Sequence, residues 1–333
     1  MEGTHSIALT STHGNIINDG GTIRGGDMSL NAQNGSIINR DTINNYLVEG
    51  GTSSYLGSQG KILASGTMGI KASDSIITRG GSIQSGSDMA MQAGSIDIGA
   101  AQLNAAASSA SYGKHEMLAF NGNQTKNYGT MVSAGRNAIL QSTRGDLNLA
   151  GSTLNVGGDA ALSSAGNIGL NAVTDKGLTD VRGHKSGAFN SSSFEDKHAY
   201  SKEMGSNIFS GGETNLFANK DVNIAGIIES TRDINIDAGN NITENALKST
   251  IDDYTYHHVN KTGFFSNPSG MSVQVGNKKI TDQNRNSSTL WQGSMINSTE
   301  GSVNANAAKD INVNGSNDIC KQRYQYVWRY SEL

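Results

Sequence analysis

The chain has 333 residues, among them 42 Gly, one Pro and one Cys, with 16% charged and 6% aromatic residues and a formal net charge of −4. So little Pro and charge, beside Ile, Leu and Val in alternation, excludes a disordered chain, and scattered Lys and Arg leave no electrostatic footprint for nucleic acid. The lone Cys320 excludes an internal disulfide, and no run approaches the ~18 apolar residues of a membrane-crossing helix.

Residues 1–30 hold no apolar run able to serve as a signal-peptide core, so any export signal is expected outside this chain. The first element met is a word, Asp27-Met28-Ser29-Leu30, that returns as Asp88-Met89-Ala90-Met91, Asp146-Leu147-Asn148-Leu149, Asp221-Val222-Asn223-Ile224, Asp233-Ile234-Asn235-Ile236 and Asp310-Ile311-Asn312-Val313. A second word ends in Ile-Ile: Gly14-Asn15-Ile16-Ile17, Gly35-Ser36-Ile37-Ile38 and Asp74-Ser75-Ile76-Ile77. Met68 to Met89 and Leu147 to Ile168 are each 21 residues apart, Val132 to Leu154 is 22, and Met28 to Met68, at 40, reads as two repeats.

Three strands of three or four residues and three turns within 20–22 residues describe one rung of a parallel β-helix. Each strand pairs with its equivalent one rung above and below, so it has no need to be long. Alternation points Leu154, Val156, Leu162, Ile168 and Leu170 into a narrow core. A single Pro fits, because nearly every strand is central and needs its N–H. Ten to fifteen such coils would make a rod of roughly 50–70 Å at about 4.8 Å per coil. Separate β-sandwiches would need longer strands and hairpin turns at fixed positions, which the sequence does not signal.

The repeat is interrupted near 105–128, 173–207 and 247–291, where Tyr, His, Phe and charge rise, and these read as loop insertions. Each is followed by a return: Gly129-Thr130-Met131-Val132, Gly205-Ser206-Asn207-Ile208 and Gly293-Ser294-Met295-Ile296. The expected organisation is coils over 1–104, a β-helix with insertions over 105–316, and an atypical tail over 317–333. That tail, DICKQRYQYVWRYSEL, alternates Tyr324, Tyr326, Trp328 and Tyr330. It reads either as a strand capping the open rod end or as the remnant of an interrupted longer gene.

The run KTGFFSNPSGMSVQVGNKKITDQNRNSSTLWQGSMINSTEGSVNANAAKDINVNGS, Lys261 to Ser316, resembles the haemagglutinin repeat of filamentous haemagglutinins and contact-dependent growth inhibition toxins. HKSGAF at 184–189 leading to KDVNIAG at 220–226, and YGKHEMLAF at 112–120 leading to GDLNLAGS at 145–152, are further copies. The resemblance covers about residues 100–316. It implies a right-handed β-helical shaft in a large exoprotein of Gram-negative bacteria, secreted or on the outer surface and exported through a dedicated outer-membrane two-partner secretion transporter. Host or neighbouring-cell surfaces would be its partners. Some members are adhesins, others carry a C-terminal toxin, and the chain reads as a shaft segment of one or the other.

The polar cluster IDDYTYHHVNK gathers Asp252, Asp253, His257 and His258, and SFEDKHAY gathers Glu195, Asp196 and His198. Either could be metal chemistry if the side chains converged, or an exposed loop. The Asp opening each word could belong to a β-helical polysaccharide lyase or hydrolase with Ca²⁺, but an Asp before a strand more simply satisfies turn N–H groups. Phe264, Phe265, Trp291, Tyr254 and Tyr256 either face a glycan or receptor or cover the gap where an insertion leaves the rod. No Ser/His/Asp or Cys/His arrangement and no phosphate loop is present. A non-enzymatic protein is therefore expected, with no catalytic, cofactor or metal residues assigned.

Overall fold

The structure is a computed structural model that describes residues 1–266, 273–315, 319–320 and 324–328. It is an all-β parallel β-helix. Three sheets run its length, of ten, nine and nine strands among the described residues, and each strand pairs in parallel with the strand one coil on. The first coil takes one strand in each sheet, Ser6–Ser11, Ile16–Asp19 and Thr22–Gly25. The second lays Asp27–Ala32, Ile37–Arg40 and Lys61–Ala64 on them. Nine coils stack this way, and Tyr324–Trp328 pairs with Val303–Ala307 to open a tenth.

Register follows the sequence words. Ser6 lies on Asp27, Met68 on Met89, Leu147 on Ile168 and Val132 on Leu154. One column, Ile23, Ile62, Ile83, Val132, Leu154, Ile208, Ile228 and Ile296, runs unbroken through eight coils, every member buried. The other two sheets contribute equivalent columns to the same core, Leu162, Ile168 and Leu170 among them. At 25 cal/mol per Å² the burial of such a side chain is worth about 1.5–3 kcal/mol, so a coil with six inward aliphatics adheres to its neighbours although none of its strands would be stable alone.

The readings of coil number and of the insertions need correction. Met28 lies directly on Met68, so 40 residues are one coil and not two. The extra length is a hairpin, Ile43–Val48 and Gly51–Leu56, which the sequence reading missed. The three recognised insertions are not loops: they are hairpins too, Ala101–Tyr112 with Glu116–Tyr128, Val173–Ser186 with Asn190–Met204, and Leu247–Ser266 with Val273–Gln292. Hairpins at a fixed position therefore exist, contrary to expectation, and because they take up so much chain the described residues form nine coils and the first strand of a tenth.

All four hairpins leave the rod at one corner, between the second and third strands of the second, fourth, sixth and eighth coils. In the alternate coils that corner is turned tightly by glycine in the left-handed region: Gly20 (φ 64°), Gly80 and Gly81 (both 71°), Gly151 (59°) and Gly315 (69°), with Gly226 (φ 153°) in the seventh coil. A hairpin is two strands thick, and two strands at about 4.8 Å match two coils at the same rise. Alternation therefore lets successive hairpins meet edge to edge. They join into one eight-stranded antiparallel sheet, a fin whose strands lengthen from 6 residues in the first hairpin to 20 in the fourth.

Candidate functional site

The fin is built from its base outward. Where a hairpin rejoins the rod, a Gly-Ser or Gly-Thr pair closes it, the same pairs that mark the returns in the sequence. The Thr130 hydroxyl donates to the Gly99 carbonyl at 2.7 Å, Ser206 to Asn171 at 2.7 Å and Ser294 to Asn245 at 2.5 Å. Each acceptor is the residue two positions before the hairpin begins, so one hydroxyl ties both ends of the insertion together. All three side chains are fully buried. The preceding residue is Gly because a Cβ on Gly129 would stand 2.0 Å from the Gly151 carbonyl oxygen, and one on Gly205 2.5 Å from that of Ala225.

Beyond its base the fin is a single layer. It lacks a second layer to bury a face against, so cross-strand pairs carry its cohesion. Arg182 bridges Asp180 and Glu195, and Arg285 holds Asp252 through both guanidinium and carboxylate edges at 2.8 and 3.1 Å. That pairing holds the Asp252 carboxyl below its ordinary range. Rings cover glycines: a Cβ on Gly177 would meet Tyr200, one on Gly183 Phe194, and one on Gly122 Phe120, all within 2.8 Å.

The two polar clusters singled out in the sequence come together here. The third and fourth hairpins pair so that His198 faces Asp253 and Phe194 faces His257. His198 Nδ1 lies 2.5 Å from Asp253 Oδ1 and His257 Nε2 3.8 Å from Asp196 Oδ1. Glu195 instead pairs with Arg182 and Lys197, and His258 meets Thr281 at 2.8 Å and stacks on Tyr256. Pleating sends Glu195 and Asp252 to the face opposite His198 and Asp253. Among the described residues no three His, Cys, Asp or Glu side chains converge as metal ligands.

The word-opening Asp residues do accept backbone N–H bonds, but from the coil above rather than from their own turn. Asp27 accepts from Thr67, Asp88 from Asn137 and Asp233 from Ser302, and Asp159, at an equivalent corner, accepts from Glu213. At a second corner Asp146, Asn167, Asp221, Asn241 and Asp310 form a continuous ladder, each oxygen accepting the next residue's N–H at 2.7–3.1 Å. Asn between Asp keeps carboxylates from stacking directly, and its amide donates to the Asp below.

Tyr254, Tyr256 and Trp291 do not cover the hairpin bases. Tyr254 and Tyr256 stand out on the fin, Tyr254 beneath the Lys197 ammonium, and Trp291, near the rejoining end, is 60% exposed under Lys248. Leu247 is the apolar side chain buried at that base. The side chains of Phe264 and Phe265, and most of the 317–333 tail, lie outside the described residues. The sequence reading missed a cavity of 400 Å³ on the His198 face of the fin, where Tyr46, Phe120 and Tyr200 stand around it.

The chain is 28% identical over 193 residues to the tRNA nuclease CdiA-2 of Burkholderia pseudomallei (strain 1026b), covering 56% of this chain and 6% of that protein. It is 27% identical over 110 residues to a tRNA nuclease CdiA of Burkholderia pseudomallei, 33% of this chain and 9% of the relative. With the tRNA nuclease CdiA of Escherichia coli (strain STEC_O31) it shares 26% over 178 residues, 49% and 5% of the two chains. The chain thus spans less than a tenth of the length of these curated relatives. No solved structure matches. The Hemagglutinin repeat family matches residues 108–189 and 186–322, which hold the third and fourth hairpins and the second from residue 108 on, and the chain belongs to that family.

Proposed function

We propose that the chain is a non-enzymatic segment of a secreted or surface-displayed filamentous haemagglutinin-like adhesin of a Gram-negative bacterium, serving as stalk and cell-contact surface. The observation that carries this reading is the fin: one corner of a stiff rod bears a single-layer sheet with both faces open and side chains already held by cross-strand pairs. The rod sets distance, and the fin offers area to a host or neighbouring cell. The parent protein would cross the outer membrane through a two-partner secretion transporter. The test is flow cytometry of the fluorescently labelled chain on intact Gram-negative and host epithelial cells. Saturable binding to at least one of them is expected, and binding no greater than that of labelled albumin would sink the contact role.

The ladder arrangement supports a structural role for the Asp residues, since their oxygens are already engaged between coils. No release of unsaturated or reducing ends from acidic glycans with Ca²⁺ is expected; turnover lost on changing Asp88 and Asp159 to Asn would establish the β-helical lyase or hydrolase reading instead. The toxin-delivery region of a contact-dependent inhibition protein is favoured by one specific observation, the relatives named tRNA nuclease of which this chain matches 5–9%. Deleting residues 108–322 from the parent reading frame separates the roles: loss of target-cell inhibition with cell binding retained would establish delivery over adhesion.

A further inference from the structure

On one face of the fin a register row crosses six strands in a straight line: Tyr46, Ser53, Ala105, Gln124, Gly177 and Tyr200. The adjacent row toward the tip reads Val48, Gly51, Ala107, Gly122, Thr179 and His198. Between their ends both rows are small or slender, so the sheet is floored close to its backbone there. Tyr46 stands at one end, and Tyr200 and His198 at the other, five strand spacings or roughly 24 Å away. Phe120 forms the side wall, lying across Gly122. The result is a trough with a cavity volume of 400 Å³.

Its chemistry is specific. None of the lining side chains is Asp, Glu, Lys or Arg: Asp180, Arg182, Glu195 and Lys197 of the same strands alternate to the opposite face, and on this face Lys126 and Asp175, one row nearer the base, pair with each other. Because Tyr200 covers Gly177 and Phe120 covers Gly122, these rings lie along the sheet and turn a flat face outward. Polar groups among them are held in place. Gln124 Nε2 donates to the Tyr200 hydroxyl at 3.0 Å, leaving its Oε1 as an acceptor. A carboxylate only accepts, so the 2.5 Å contact with Asp253 puts the hydrogen on His198 Nδ1 and leaves Nε2 as an acceptor in the neutral ring. Thr179 places a hydroxyl beside it.

We infer that this trough binds an uncharged glycan chain laid across the strands, its pyranose faces on Tyr46, Phe120 and Tyr200 and its hydroxyls on Gln124, Thr179 and His198. Each structural feature points to that class. Ring faces with amide, hydroxyl and imidazole neighbours match a ligand that is apolar on one face and hydroxylated at its rim. No Lys or Arg lines the trough to pair an anionic sugar or a phosphate. An extended peptide would seek backbone partners, and those of the trough floor are already used in the sheet. The strand spacing is close to the advance of a pyranose chain, so successive sugars meet successive strands. The inference deepens the cell-contact reading by naming a ligand class, but its test uses purified components and so can fail separately from binding to cells.

The experiment is isothermal titration of the full chain with cellohexaose and maltohexaose, and with a heparin-derived hexasaccharide as the anionic comparison. Saturable binding of a neutral hexasaccharide is expected. Tyr46→Ser and Thr179→Lys, both at exposed positions, should each weaken it about tenfold, with unchanged circular dichroism. Trp291→Ser, on the opposite face, should leave it unaltered. Absence of binding by either neutral sugar, tighter binding of the heparin fragment, or equal affinity in wild type and Thr179→Lys would overturn the assignment.

Discussion

The side chains with most leverage on this protein are small ones at the hairpin corner. Ser206 donates to the Asn171 carbonyl while its oxygen accepts the Ser152 N–H at 3.4 Å. Ser206→Ala leaves the Asn171 carbonyl with the Gly151 N–H alone and takes from the buried Ser152 N–H its acceptor, and such a loss costs about 1–3 kcal/mol. Chemical denaturation should show that loss, and hydrogen exchange should show it concentrated at Val173 and Met204, where the hairpin is tied. Asp41, next to the missed first hairpin, is a second such residue. It is buried, and burial raises its pKa above the ordinary 3.8 although the Gly60 and Gly81 N–H groups pull the other way. A carboxyl raised on folding contributes stability below its unfolded pKa and loses it as pH rises through the folded value. Wild type should therefore lose stability relative to Asp41→Asn as pH climbs out of the acid range. For Asp27 the sign reverses. The Thr67 N–H and hydroxyl hold it below 3.8, so its contribution is present above the unfolded pKa and fades as pH falls through the folded one.

At the scale of the element, turn and hairpin are alternative solutions to one corner, and glycine shows which is in use. Gly151 has φ 59°, and an added Cβ would lie 2.3 Å from Val173 Cγ2 at the root of the third hairpin. Gly151→Ala combines a left-handed conformation costing about 1–2 kcal/mol with that clash, and should lower the thermal midpoint. Gly276→Ala, with nothing within 4 Å of the new methyl, should leave it unmoved. The coils were legible in the sequence because apolar alternation with a fixed repeat is what a buried narrow core requires. The fin was legible only as an interruption. A sheet wet on both faces needs no apolar alternation, so Val173–Ser186 and Asn190–Met204 carry no period-two signal and read as loops. The first hairpin was hidden by arithmetic, since a 20-residue coil plus its insertion equals two coils. Its signal was the pair Tyr46 and Tyr55, whose rings meet 5.8 Å apart around Glu49 and Gly50. Neither the His198–Asp253 contact nor the trough could be read, because both depend on which hairpins become neighbours.

That neighbour relation is a property of the whole molecule. Consecutive hairpins pair only because two coils of rod and two strands of hairpin rise by the same distance. The tie between Glu116–Thr125 and Lys176–Lys185 is therefore set by the one hairpin-free coil beneath it. Duplicating Met131–Ser152, which spans one coil and its Gly151 corner, adds a hairpin-free rung in register with the core columns. The rod should accept it, since Val132 and Leu154 already stack as equivalents. The fin should not, because the added rung moves the third hairpin away from the second by about 4.8 Å, the width of one missing strand. The expected result is an unchanged rod by circular dichroism, with amide protection lost along Glu116–Thr125 and Lys176–Lys185. Pairing within the third hairpin and between the third and fourth should persist, because those move together. Protection that survived the duplication would mean that the hairpins find one another independently of the coils, and the matched rise would then not be what assembles the fin.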